Sequence, residues 1–377
     1  MEQTGGTLST MEMRKKNRNR VYHLLVTQPQ PRTRQELAKE LGMSLPTLTQ
    51  NIKELSEMGL IAATGTTDST GGRRPRLISA VPDARFAVGV ELTRRHIRLI
   101  AVDLLRNELA YRKYKRLFEN SEAYGRDLAE YLEGFLTEHD LDRERLLGVG
   151  IALPGIISPE RNTIKYATTL GILSDTPEHI TGDIPYPHTV DNDATCGGLG
   201  EWDQGDQGKM AYLSLGYGGG GAILLQHCLY EGTERRAAEF GHMCIHPGGK
   251  QCTCGKQGCL EAYCSSACLS EELGISVEEF FWRLEQGNPS CRARWEEYLD
   301  DLALAVSNIH LMLDCKVVVG GPVSQYLPVY EQTLNERLRK LTPVQNEKSY
   351  LAFASKQSRT NSFGAAIRYI RQFIEQI

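Results

Sequence analysis

The stretch from His242 to Glu261 constrains the chain most, because Cys252, Cys254 and Cys259 fall within eight residues of one another. Thiolates this close are costly unless a cation sits among them, and Gly255 and Gly258 permit the sharp turns that aim all three at one point. His242, ten residues before Cys252, can complete the Cys₃His set that zinc takes as a tetrahedron, with Cys244 and His246 as rivals for that place. Four protein ligands leave no open coordination position, so the expected Zn2+ is structural, a clip that fixes Glu239, His242 and Glu261 around a pocket. The chain has ten cysteines but no apolar core of a signal peptide. They are therefore read as reduced thiols of a cytoplasmic protein, some of them metal ligands.

Charge divides the chain unevenly. Residues 1–80 hold 12 Lys and Arg against 7 Asp and Glu, a net +5, while the remainder carries 31 against 40, a net −9. A basic head on an acidic body fits a nucleic-acid partner for the head alone. No apolar run approaches the roughly 20 residues that cross a bilayer, so no membrane partner is expected.

The head reads as a winged helix-turn-helix. Val21, Leu24 and Leu25 recur at helical spacing from Asn17 to Thr27, ahead of Pro29 and Pro31. Thr33 with Glu36 forms a capping box for a second helix, and Gly42 supplies its exit turn. A third helix opens at Ser44 with Pro46 in its first turn, burying Leu48, Ile52 and Leu55. Its outward Thr47, Thr49, Gln50 and Lys53, with Ser44 at its start, can reach base edges and phosphates. A strand from Leu60, a turn-rich basic tip and a return strand at Pro75-Arg76-Leu77-Ile78 make a wing, with Arg73, Arg74 and Arg76 set against the phosphate backbone or in a minor groove.

From Phe86 the pattern changes to β. FAVGVEL, IRLIAVDL and NELAYRKYKRL make a three-strand meander, a helix follows over Glu122–Leu136, and LLGVGIAL is a buried strand ending at Pro154-Gly155. Similar units recur in the second half, which predicts an α/β fold of duplicated, ribonuclease-H-like architecture, the two-lobed build of actin-like ATPases and sugar kinases. The expected division is a DNA-binding head over 1–80 and a sensing body over 81–377. One lobe of the body covers 81–190 with a terminal helix at 362–377, the other 191–361. A purely structural alternative for Asp193 is the N-cap of a helix over Ala194–Trp202, a role compatible with ligand binding.

These motifs resemble the ROK family of repressors and sugar kinases. The resemblance rests on the cysteine loop with Leu260-Glu261-Ala262, the run Ala238-Glu239-Phe240-Gly241-His242, the turn Asp191-Asn192-Asp193-Ala194 and the wing's Gly72-Arg73-Arg74-Pro75. It covers nearly the whole chain, and the basic head matches the repressor branch, which includes xylose-repressor-like proteins. The resemblance implies a sugar effector held between two lobes by Asn192, Asp193, Glu239 and Glu261. His242 both ligates zinc and touches the sugar, and Pro154 and Gly155 close one side.

In the family's kinases the position of Asp193 is that of the general base. Phosphoryl transfer also needs glycine turns where amides approach the nucleotide, and the kinase pattern Asp-x-Gly-Gly-Thr is here Glu91-Leu92-Thr93-Arg94-Arg95. Glycines persist in Gly216–Gly221, with Tyr217 where the kinases usually have Thr, and in Gly320-Gly321, but a buried strand ending in a glycine turn keeps them for fold reasons. The chain is therefore read as a non-enzymatic, sugar-responsive regulator, usually a repressor. It binds operator DNA as a homodimer or homotetramer, with a kinase carrying a DNA-binding head as the alternative.

Overall fold

The computed structural model describes residues 10–66, 75–158, 163–202, 208–226, 228–341 and 349–377. Among the described residues the head has three helices, Thr10–Thr27, Arg34–Leu41 and Leu45–Glu57, followed by the wing strands Ile61–Thr66 and Arg76–Ala80. The capping box is present in full, with the Thr33 hydroxyl accepting from the Glu36 amide and the Glu36 carboxylate accepting from the Thr33 amide. Gly42 leaves the second helix at φ +62°, a left-handed exit that glycine reaches without steric cost.

Two features of the head differ from the sequence reading. The first helix begins at Thr10 rather than Asn17, because Met11–Lys16 are exposed. Met, Glu, Arg and Lys sustain a helix by propensity without an apolar stripe, so periodicity cannot detect these turns. A two-residue strand, Arg32–Thr33, also adds to the wing, pairing antiparallel with Arg76–Ala80. Arg73 and Arg74 lie outside the described residues.

The body is built on two five-stranded sheets of one plan. In the first, Phe86–Leu92, His96–Asp103 and Glu108–Lys115 form an antiparallel meander. Leu146–Leu153 then joins parallel to the first strand, and His188–Asn192 parallel to that. In the second, Lys209–Leu215, Gly219–Leu225 and Cys228–Leu229 form the meander, and Lys316–Gly320 and Leu351–Phe353 are added in parallel. This is the duplicated α/β architecture that the sequence implied.

The last helix, Thr360–Gln376, ties the parts together. It lies so close on the first sheet that a β-carbon on Gly89 would meet the Ser362 carbonyl at 1.8 Å, and one on Gly150 the Ala365 carbonyl at 2.1 Å. Its other neighbour is the helix Asp193–Glu201, where a β-carbon on Gly364 would lie 1.6 Å from the Cys196 carbonyl. Ile367, Ile370 and Ile374 of the last helix share one apolar core with Val21, Leu25, Leu48 and Leu55 of the head and with Ile100 and Val102 of the first sheet. Arg18 donates to the Ile377 carbonyl at 2.8 Å, and Asn19 donates to that of Ile374. Head and first lobe are thus packed as one body.

Asp193 does not cap the helix it precedes. Asn192 does, accepting from the Thr195 amide at 2.8 Å, and the helix runs Asp193–Glu201. The Asn192 amide has the reach to receive the third N–H from the residue before the helix. The Asp193 carboxylate takes only the Ala194 amide.

Candidate functional site

The cysteine loop is a compact double turn. Gly255 and Gly258 take φ +87° and +81°, and a β-carbon on Gly258 would meet the His246 carbonyl at 1.9 Å. The ligand atoms of His242, Cys252, Cys254 and Cys259 consequently lie within 4.8 Å of one another. The Cys254 and Cys259 sulfurs are 3.8 Å apart, and the Cys252 sulfur is 3.7 Å from Nδ1 of His242. A tetrahedron with zinc–sulfur bonds of about 2.3 Å has edges of about 3.7 Å, so the donor set fits a tetrahedral metal. Both rivals for the fourth position are drawn elsewhere. His246 bonds the buried Asp301 at 2.6 Å through Nε2, and Cys244 is exposed.

The loop forms one wall of a cleft of about 570 Å³ between the sheets. Pro154, Gly155, Asn192, Asp193, Glu239, His242 and Glu261 all line it, so the structure brings the expected sugar residues to one cavity. Several are already engaged. Asn192 donates to the Gly155 carbonyl at 2.8 Å while capping its helix, which ties the Pro154-Gly155 turn to the strand end. Glu261 accepts from the Thr253 hydroxyl at 2.5 Å and the Gly219 amide at 3.0 Å, so the metal loop and a glycine strand together aim its carboxylate. Burial pushes the Glu239 carboxyl above its ordinary range. Asp193 is pushed up to about 7, first by burial and next by the charge of Glu91.

At the other end of the cleft the sequence reading missed a network. Glu91 is buried and pairs with Arg98 at 2.5 Å, while its second oxygen accepts from Asn361 at 2.9 Å. The signal was a carboxylate inside the otherwise apolar strand FAVGVEL, which burial requires to be paired. Thr93 closes the following turn on itself, its amide and hydroxyl bonded to the backbone of His96. Arg94 and Arg95 are therefore left at the exposed tip. The glycines of the neighbouring loop are occupied by packing. A β-carbon on Gly219 would meet Gly241 at 2.8 Å, and one on Gly221 would meet Phe240 at 2.3 Å. They allow the Phe240–His242 segment to lie against the strand. Tyr217 bonds Glu271 at 2.5 Å.

On the head, Thr47, Thr49, Gln50, Lys53 and Arg76 are exposed. Ser44 is spent on the fold, its hydroxyl accepting from the Thr47 amide. Gln50 bonds Glu54 at 3.0 Å.

A profile of the helix-turn-helix domain matches residues 16–62, and a profile of the ROK family matches residues 87–371. The chain belongs to the ROK family. It is 26% identical to the xylose repressor of Caldicellulosiruptor bescii over 85% of each chain. It is also 32% identical to an N-acetyl-D-glucosamine kinase of Salmonella arizonae over 52% of this chain and 72% of that one. Among solved structures, a ROK transcriptional regulator described as a homologue of the Escherichia coli Mlc protein superposes with a TM-score of 0.77 at 21% identity, over 97% of both chains. The ROK body is thus shared with kinases, and the full-length likenesses also include the head. Among the described residues no helix is long and apolar enough to cross a membrane.

Proposed function

We propose that this ROK protein is a sugar-responsive, DNA-binding transcriptional repressor of carbohydrate genes, acting in the cytoplasm and without kinase activity. The observation that carries it is the shared packing of head and cleft. The helix that opens at Asp193 lies against the last helix, and the last helix shares one apolar core with the winged head. A kinase has no use for such a connection. In this reading residues 1–80 are the operator-binding unit. Thr47, Thr49, Gln50 and Lys53 face the major groove, and Arg73, Arg74 and Arg76 serve the backbone. Ser44 acts through its cap.

Residues 81–377 hold the effector. Asp193, Glu239 and Glu261 accept from sugar hydroxyls, His242 contributes from the metal side, and Asn192, Pro154 and Gly155 shape the opposite wall. Paired acceptors at fixed positions distinguish one hydroxyl pattern from another, because a mismatched sugar leaves a buried carboxylate unpaired. Zinc is the metal that best fits the Cys₃His set, and when bound it holds the loop that positions Glu261. The network of Glu91, Arg98 and Asn361, with a turn that lacks glycine, opposes a nucleotide phosphate at the other end.

Because the head is packed on the first lobe, closure of the second lobe on a sugar cannot swing the head within one chain. It changes instead how two heads are spaced in a homodimer or homotetramer, and operator half-sites demand a fixed spacing. The test is a fluorescence-anisotropy titration of a duplex selected from a random pool, with and without a sugar panel led by xylose. A 100-fold loss of affinity on adding one sugar corresponds to about 2.7 kcal/mol of coupling. Affinity indifferent to every sugar refutes the effector part of the reading. One observation favours a kinase: an Asp193 carboxyl at about 7 is tuned as a general base works best near neutral pH. A coupled ATP-consumption assay on the same panel decides it.

A further inference from the structure

The first helix carries a run of cations that the fold does not use. Arg14, Lys15 and Lys16 are exposed, and among the described residues none of them forms an ion pair. They sit in the second turn of Thr10–Thr27. They pack on no part of the core. An exposed run of like charges with no packing role is available as a contact surface for an anionic partner.

Its position relative to the recognition helix Leu45–Glu57 is set by one pair. Arg18 bonds Glu54 at 2.9 Å, and Glu54 is bonded by Gln50, one turn earlier on the recognition helix. Arg14 and Lys15 are four and three residues before Arg18, on the same side of their helix. Arg14 adds its charge at Glu54 as well. Four residues of helix advance about 6 Å, so Arg14 and Lys15 lie about one helical turn beyond the point where Arg18 meets the flank of the recognition helix.

We propose that Arg14 and Lys15 form a second DNA contact, a phosphate-binding ridge beside the recognition helix that lengthens the footprint of each head without reading sequence. This rests on the DNA-binding function proposed above. Backbone neutralisation by Lys and Arg releases condensed counterions, and each phosphate contact steepens the dependence of log affinity on log salt by about 0.9.

The experiment compares full-length wild type with the R14A/K15A variant on two probes, a duplex selected from a random pool by the wild type and a mixed-sequence duplex of the same length. Affinity is measured across a salt series, and the thermal midpoint of each protein is recorded. The ridge predicts that the variant weakens on both duplexes by the same factor and that its salt slope is shallower by about 2 for each head. Its loss of affinity between 50 and 200 mM salt is then roughly 12-fold smaller per head than that of the wild type. The thermal midpoint is unchanged or raised, because Ala is the best helix former. The exchange variant R14K/K15R keeps the wild-type slope. An unchanged slope in a wild type that binds both duplexes overturns the ridge and leaves the DNA-binding reading standing. Weakening confined to the selected duplex also overturns it, by assigning the run to base readout. A wild type that binds neither duplex overturns both.

Discussion

Replacing Asp193 by Asn stabilises the sugar-free protein, and does so more strongly as pH rises. Desolvation in the cleft, and next the charge of Glu91, lift the Asp193 carboxyl from 3.8 to about 7. A carboxyl whose folded value is raised binds a proton more tightly in the fold than in the unfolded chain. Stability therefore falls as pH rises from the unfolded value through the folded one, and the full penalty is present above about 7. Lifting the carboxyl from 3.8 to about 7 corresponds to about 4 kcal/mol. At pH 5 the penalty is about 2 kcal/mol and at pH 8 about 4, so the variant's advantage grows by roughly 2–3 kcal/mol between the two. Asn retains an oxygen for the Ala194 amide that Asp193 accepts at 2.8 Å, so the local backbone bond is not lost. Calorimetric unfolding of both proteins at the two pH values measures the difference. An advantage of equal size at both values, or a loss at pH 8, refutes the reasoning. The same variant weakens sugar binding if Asp193 accepts a hydroxyl in its ionised form.

Three further outcomes follow from the geometry. Cys259→Ser, or chelation at neutral pH, removes one corner of the Cys₃His set and lowers the thermal midpoint while releasing about one zinc per chain, read with a chromogenic chelator. Arg98→Ala leaves the Glu91 carboxylate buried with Asn361 as its remaining partner. It is expected to cost about 3–5 kcal/mol of unfolding free energy, most of it recovered when Glu91 is also made Gln. Gly364→Ala forces a β-carbon toward the Cys196 carbonyl, a destabilisation of about 1–3 kcal/mol or more. In the full-length protein it reduces the effect of sugar on operator affinity, measured by anisotropy.

Much of this architecture was legible because it is written in local chemistry. The Thr33–Glu36 capping box, the glycine exit at Gly42 and the proline at position 46 each specify a helix end within a few residues. The strand LLGVGIAL was located to the residue, Leu146–Leu153, because a buried parallel strand is an unbroken apolar run. The first two turns of the opening helix were not visible, since a helix that buries nothing has no period. Nor was the choice among His242, Cys244 and His246, which depends on Asp301, 55 residues further on, drawing His246 away. The cap at Asn192 was misassigned to Asp193, because both are good caps and only the fold decides which carries the backbone angle. Arg98 and Asn361 were illegible as partners of Glu91, because cross-strand register and the path of the last helix bring them together.

On the function proposed above, the body keeps a kinase's sugar-recognising parts but not those that approach a phosphate, and the first hairpin holds a paired network instead. Glu91 is held there by a cation from the next strand and an amide from the last helix. Asn361 is the second residue of that helix, and Ile374 near its other end lies in the core of the DNA-binding head. That network therefore anchors the start of the helix that packs against the head. On the proposed reading, phosphate binding at the first hairpin and head docking draw on the same residues. A chain of this plan regains the first only by loosening the second, and for that reason a Glu91→Asp, Thr93→Gly, Arg94→Gly variant is expected to lose operator affinity even if it gains nucleotide binding, a trade read by anisotropy and by isothermal titration with ATP.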